Sequence, residues 1–291
     1  MDSWRILTAL GNHGLAVPEP SPSDVPIEIR FRRSIGRPLP GDRVMLDRES
    51  GVTGILPRDS LFGRGTANGR FQPMAANLTH LLIVIAPEPA PSVDLVHRYI
   101  AAACMQNIKP VVIVNKADLG VPDRPPFTHL HDLEIDVLHT CCTPPMDLDG
   151  LKTMLHGGVH LLAGQSGVGK SSLTNALLPD LALQTNRLSR STGKGRHTTT
   201  GARLYHLPDN GWLIDTPGVW EYGLWRMTTT ELEQGFPEFR PFRGQCRFRD
   251  CSHCHEPACA IRDAVGTGKL PDCRYQAWLN LLAEQRRLGL G

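Results

Sequence analysis

From residue 77 onward, short apolar runs alternate with stretches of helical spacing. The runs are Leu81–Ala86, Val111–Val114, Ile135–Leu138, Val159–Ala163, Arg203–Leu207 and Trp212–Ile214. Runs this short and this continuous read as strands buried on both faces. Between the first two, Val93, Val96, Ile100, Ala103 and Cys104 fall on one face of a helix. Strands alternating with helices predict a parallel sheet covered on both sides, an α/β unit over 77–235. Ahead of it, residues 1–76 carry β-type runs at Pro26–Phe31, Asp42–Leu46 and Val52–Leu56, parted by turn signals such as Pro40-Gly41-Asp42. That pattern predicts a small antiparallel β-barrel. The opening to Ser23 is too rich in proline to assign. The last unit, 236–291, holds a cysteine cluster and then a helix beginning near Pro271, with Tyr275, Trp278, Leu279 and Leu282 at i, i+3, i+4 and i+7. There is no internal repeat.

Composition narrows the function class. The 291 residues are 41% hydrophobic and 21% charged, an ordinary globular mix. Basic and acidic residues, 31 and 29, give +2, which excludes a strongly basic nucleic-acid tail or an acidic disordered one. By unit the charge is +2, −3 and +3, so both flanking units are mildly basic. The basic residues are 25 Arg and 6 Lys. Arginine suits phosphate backbones, although codon bias explains the ratio as well. The longest apolar run stops at Pro87, far short of a membrane span. Asp2 and Arg5 sit at an N-terminus without the apolar stretch of a leader. The expectation is a cytoplasmic protein with no membrane partner. Five of eight cysteines lie between Cys246 and Cys273, and in a reducing compartment such a cluster points to metal before disulfide.

Gly164-Gln165-Ser166-Gly167-Val168-Gly169-Lys170-Ser171 matches G-x-x-x-x-G-K-[ST] at every fixed position. A predicted strand precedes it, and Ser172–Leu178 reads as a helix start. In this setting backbone amides and a helix N-terminus cradle phosphates, with Ser172 closing the set. Lys170 bridges the β- and γ-phosphates, and the Ser171 hydroxyl binds Mg2+.

The base is chosen by Asn115-Lys116-Ala117-Asp118, which follows the Val111–Val114 strand. Such a strand end is where α/β sheets bind ligands. The Asp118 carboxylate accepts from guanine N1–H and the 2-amino group. Adenine lacks that donor pair and would leave the carboxylate unpaired. Asn115 can reach the other edge of the base, and the Lys116 stem can cover its face. Cys141 and Cys142, after the Ile135–Leu138 strand, are placed where a short loop would touch guanine.

Asp215-Thr216-Pro217-Gly218 matches D-x-x-G. Asp215 would act on the Mg2+ shell through water, and the Gly218 amide would sense the γ-phosphate. The next residue is Val219, which cannot orient water as a glutamine does. The polar stretch Leu188–Gly201 reads as a switch loop. In it one of Thr198, Thr199 and Thr200 can complete Mg2+ coordination, and Thr199 is assigned. His197 is the candidate to position the attacking water, together with Lys170 as catalytic groups. An idle histidine in a solvated loop is the competing reading. The base motif precedes the phosphate loop, the reverse of the ordinary order, so the G domain is circularly permuted.

Cys246-x4-Cys251-x-His253-x5-Cys259 supplies three thiolates and one imidazole, a tetrahedral Zn2+ set. Cys254 and His255 compete for the same ion. Cys273 lies further off and reads as structural.

Together NKAD, GQSGVGKS, GRHTTT, DTPG and the cysteine motif resemble the family of bacterial ribosome small-subunit-dependent GTPases, over almost the whole chain. Ile55–Ser60 and Ala75-Ala76-Asn77 also look like the segment joining that family's first two domains. The resemblance implies an OB-fold for 1–76, binding RNA, a circularly permuted GTPase for 77–235, and a mostly helical zinc domain for 236–291. It further implies a protein that binds the small subunit and its rRNA, acts late in its maturation, and hydrolyses GTP to GDP with stimulation by the subunit; a monomer suits such a ribosome-bound factor. It assigns guanine to Asn115, Lys116 and Asp118, phosphates and Mg2+ to Gly164–Ser172, one structural Zn2+ to Cys246, Cys251, His253 and Cys259, and help in hydrolysis to His197. The chain departs from the family at His139-Thr140-Cys141-Cys142, where Ser-rich sequence is usual. The alternatives are a GTP-gated RNA-binding module with slow, timer-like hydrolysis, and a stand-alone ATPase or metal-dependent hydrolase.

Overall fold

The structure, a computed structural model, describes residues 3–19, 25–47, 51–179, 202–208, 210–216 and 223–289. The chain runs β1 (Ser3–Leu10), β2 (His13–Pro18), β3 (Ile27–Arg30), β4 (Arg43–Asp47), β5 (Gly51–Ile55), β6 (Leu61–Gly65), β7 (Phe71–Ala76), β8 (His80–Ile85), α1 (Val93–Met105), β9 (Lys109–Asn115), β10 (Asp136–Thr140), α2 (Asp149–Met154), β11 (Val159–Ala163), α3 (Lys170–Leu177), β12 (Arg203–His206), β13 (Trp212–Asp215), α4 (Thr229–Glu233), α5 (Ala260–Gly266) and α6 (Asp272–Arg287). Among the described residues, no helix is long and apolar enough to cross a membrane.

Strands β10, β9, β8, β11 and β13 pair in that order, all parallel. Their alternation shows why they stay together. Leu81 and Ile83 of β8 face one core with Val112, Tyr99 and Leu161, whereas Leu82 and Val84 face another with Val111, Ile113, Leu151, Leu173 and Leu213. A strand apolar on both parities needs a cover on each side. α1 covers the first face, and α2 and α3 the second. Helix α1 starts where Ser92 accepts a hydrogen bond from the Leu95 amide, a serine cap.

The first core does not stop at residue 235. It continues through Phe236, Phe239, Ile261, Trp278 and Leu281, so α5 and α6 pack on the α1 face. Arg274 of α6 is 2% exposed. It pairs with Glu238, donates to the Gly235 carbonyl at 3.0 Å, and lies over the Phe236 ring at 4.4 Å.

The N-terminal strands hold a separate core of Ile6, Ala16, Ile29, Phe31, Val44 and Val52. They pair antiparallel in the order β3-β2-β1-β4-β5. The unassigned opening therefore forms two strands, β1 and β2. Its prolines fall at Pro18 and beyond, where β2 ends. Sequence patterning also missed that β1 pairs β12 at Thr8 and Arg203, which joins these strands to the central sheet. The β6–β7 hairpin was missed too. It is a two-stranded sheet of its own whose Gly65 amide donates to Gly223 O at 2.8 Å.

The joining segment is an interlock. Asp42, fully buried, takes two bonds from Arg58, at 2.7 and 2.8 Å. Asn77 donates to Gly41 O at 2.9 Å and accepts from the Asp59 amide at 2.9 Å.

Candidate functional site

Three motifs stand at the same edge of the sheet because three parallel strands end there. Asn115 closes β9, Gly164 follows β11, and Asp215 closes β13. The strand order β9-β8-β11-β13 sets the base motif and the D-x-x-G motif on opposite sides of the phosphate loop. The reversed order of motifs along the chain does not disturb this layout, since only connections change.

The phosphate loop is drawn tight against neighbouring backbone. Gly164 has φ +137°, and a Cβ there would lie 2.2 Å from Val84 O. Gly169 has φ +97°, and its Cβ would lie 2.2 Å from Asn115 Nδ2. Helix α3 starts at the next residue, so its N-terminal amides face the loop. The Lys170 ammonium donates to the carbonyls of Gly164 and Gln165, at 2.7 Å each. Burial holds its pKa below the usual lysine range. Ser171 and Ser172 are exposed at the helix start. Gln165 donates to Ala90 O at 2.8 Å, and its Oε1 accepts from the Ser92 amide at 3.3 Å, so the loop is tied to the start of α1.

The base motif leans on the phosphate loop. Asn115, 1% exposed, donates from Nδ2 to Val168 O at 2.9 Å, and its Oδ1 accepts from Thr140 Oγ1 at 3.0 Å. Lys116 adopts a left-handed backbone, φ +58°. Its ammonium donates to Gly167 O at 2.9 Å and Glu88 O at 2.8 Å. Asp118 stands exposed on the following turn with Ala117. The Cys141 thiol donates to Asp118 Oδ1 at 3.1 Å, and Cys142 lies 3.8 Å from Asn115 Oδ1. The cysteines after β10 thus reach the base motif. Sequence reading did not single out Thr140; its signal is position, as the last residue of β10 in register with Asn115.

Asp215 is exposed at the end of β13. His197, Thr198, Thr199 and Thr200, with Gly218 and Val219, lie outside the described residues.

In the C-terminal unit, Cys246, Cys251, His253 and Cys259 bring one ligand atom each to within 4.8 Å of one another, a group able to hold a metal ion. His253 Nδ1 is 3.3 Å from Cys259 Sγ and 3.6 Å from Cys246 Sγ. Cys254 and His255 are not part of the group: the Cys254 thiol turns to Ser252 O at 3.5 Å. Left-handed backbone at His253 (φ +61°) and Ala258 (φ +53°) wraps the chain around the group. The other ring nitrogen of His253 faces Glu233 at 3.9 Å, the kind of carboxylate contact that orients a ligating imidazole. Two bonds suspend this loop from α6: Tyr275 Oη to His253 O at 2.7 Å and Trp278 Nε1 to Ser252 O at 3.1 Å.

A family model described as RsgA GTPase matches residues 55–225. The small ribosomal subunit biogenesis GTPase RsgA of Chromohalobacter salexigens is 42% identical over 82% of this chain and 72% of its own length. RsgA 1 of Vibrio vulnificus is 36% identical over 97% of this chain and 84% of its own length. Among solved structures, YjeQ from Thermotoga maritima superposes with a TM-score of 0.75 at 26% identity, covering 98% of both chains. YloQ, described as a circularly permuted GTPase, gives 0.72 at 26% identity over 98% of this chain and 95% of that one. Permuted motif order, strand layout and these likenesses agree, and the chain belongs to the RsgA family of circularly permuted GTP hydrolases.

Proposed function

We propose that this GTPase acts in late maturation of the small ribosomal subunit, binding the subunit and its rRNA and hydrolysing GTP to GDP and phosphate under the subunit's stimulation. The relatives carry small-subunit biogenesis in their names. The observation on this chain that supports the reading most is the joint of base motif and phosphate loop, flanked by two units of positive charge. Residues 1–76 serve as an OB-fold RNA-binding unit, 77–235 as the GTPase and 236–291 as the zinc unit. The setting is cytoplasmic and the working form a monomer.

In this reading Asp118 reads guanine, with Asn115, Lys116 and Ala117 shaping its seat. Gly164 to Ser172 hold the phosphates, and Asp215 and Gly218 respond to the γ-phosphate. Ser171 and Thr199 would hold Mg2+, which when bound would supply charge neutralisation to the phosphates. Lys170 moves from the two loop carbonyls to the phosphates, and His197 orients the water. Cys246, Cys251, His253 and Cys259 hold one structural Zn2+, which their three-thiolate, one-imidazole donor set fits.

The test is GTP turnover with and without small subunits. Strong stimulation, with ATP unused, is the expected result. Tight GTP-dependent binding to the subunit without stimulation would favour a timer-like RNA-binding module instead. Rapid turnover without RNA, or equal use of ATP, would defeat both readings.

A further inference from the structure

His97 is the anomaly of helix α1. It is 2% exposed, yet among the described residues neither ring nitrogen has a hydrogen-bond partner. An imidazole buried without partners is costly, and native interiors rarely leave one so. Across from it stands His129, in the turn of 3-10 helix at Phe127–Asp132, whose Nδ1 is also buried without a partner among the described residues. The two ring centroids are 5.9 Å apart. The third member is Cys273, in the first turn of α6, a free thiol. One ligand atom from each of the three lies within 4.8 Å of the others.

We propose that His97, His129 and Cys273 form a second metal site, for Zn2+ or a cation of the same class, distinct from the four-residue cluster. Two imidazoles and one thiolate make a three-ligand borderline set that takes zinc, with water as fourth ligand. Ligand atoms about 2.0–2.3 Å from a tetrahedral zinc stand roughly 3.3–3.8 Å apart, so side-chain adjustments of about 1 Å complete the site.

The surrounding charges allow it. Arg274, adjacent to Cys273, would oppose a cation, but its guanidinium is engaged by Glu238, Gly235 O and, at 3.3 Å, the His97 carbonyl. Burial pushes the Cys273 thiol up, with Arg274 acting against this, so an incoming ion would have to displace the thiol proton.

The site has a structural consequence. His97 and His129 belong to the GTPase unit and Cys273 to the C-terminal unit. Bound metal would pin α6 to α1 beside the Arg98–Glu284 pair at 2.6 Å. The N-terminal end of α1 carries Ser92, which meets Gln165 of the phosphate loop, so the pin reaches the nucleotide site through one rigid helix.

The experiment is metal content of the intact chain, by elemental analysis and by Zn2+ titration against a chromophoric competitor. The wild type is expected to hold two equivalents. H129A and C273S, at partly exposed positions, are each expected to hold one. Co2+ provides a second readout: its thiolate charge-transfer band should show a second component of about a third the intensity of the first, from one thiolate against three. A wild type that takes one equivalent overturns the proposal. So do H129A and C273S chains that keep the wild-type content.

Discussion

Asn115 Nδ2 donates to the backbone carbonyl of Val168 at 2.9 Å, which fastens the base motif to the phosphate loop across 53 residues of chain. The same side chain takes a bond from Thr140, so three loops share one amide. Replacing it with alanine strands a buried carbonyl and a buried hydroxyl. N115A should lose about 1–3 kcal/mol of stability and weaken GTP binding, although Lys170 and Asp118 are untouched. Urea unfolding and equilibrium binding of a fluorescent GTP analogue report the two effects. Unchanged stability would mean that the brace carries nothing.

Gly164 and Gly169 of the loop differ from Gly120, beside the base motif, in what surrounds them. G164A drives a Cβ to 2.2 Å from Val84 O, and G169A to 2.2 Å from Asn115 Nδ2. Both should abolish nucleotide binding. Gly120 also has positive φ, +76°, but open space around it. G120A should cost only the left-handed strain, about 1–2 kcal/mol, and retain binding. Equal damage from all three would refute the packing argument.

Lys170→Ala removes the ammonium but touches nothing in the cysteine cluster. Nucleotide binding or turnover should vanish while metal content stays at the wild-type level. Loss of metal in K170A would show the two sites to be coupled.

Stripping metal from the four-residue cluster should loosen α6. Tyr275 and Trp278 both bond the cluster's loop, and Trp278 packs edge-on against Phe236 at 5.3 Å. A chelator should shift and quench tryptophan emission and lower the melting temperature, with zinc restoring both. Emission indifferent to the chelator would remove the metal from the folding of this unit.

His160 is fully buried, stacked on His80 at 5.1 Å, and bonded to Leu155 O at 3.0 Å. Burial first, and then His80, push its pKa down to about 4 from 6.5. In the unfolded chain the ring takes a proton near 6.5, and in the folded chain it resists. The stability it contributes is therefore complete above pH 6.5 and drains away toward pH 4, at up to roughly 1.4 kcal/mol per pH unit. H160Q keeps a donor without the titration and should flatten this slope. Parallel pH curves for the two proteins would count against it.

The sequence by itself determined the strands of the central sheet, the faces of α1 and α6, the permuted motif order and the metal motif. Apolar runs such as Val159–Ala163 and spacings such as C-x4-C-x-H are local, and local patterns survive in one dimension. Other features depended on contacts between distant segments. The exclusion of the rival His255 depended on the fold, in which His253, with left-handed backbone, is buried in the group and His255 is exposed. Glycine at 169 is required by an asparagine 54 positions earlier. The β1–β12 pairing rests on a single register pair far apart in the chain. The gathering of His97, His129 and Cys273 is of the same kind. Each residue looks idle in its own segment, and only the packing of α6 and of the Phe127–Asp132 turn around α1 brings their ligand atoms together, because burial and proximity are properties of the folded chain.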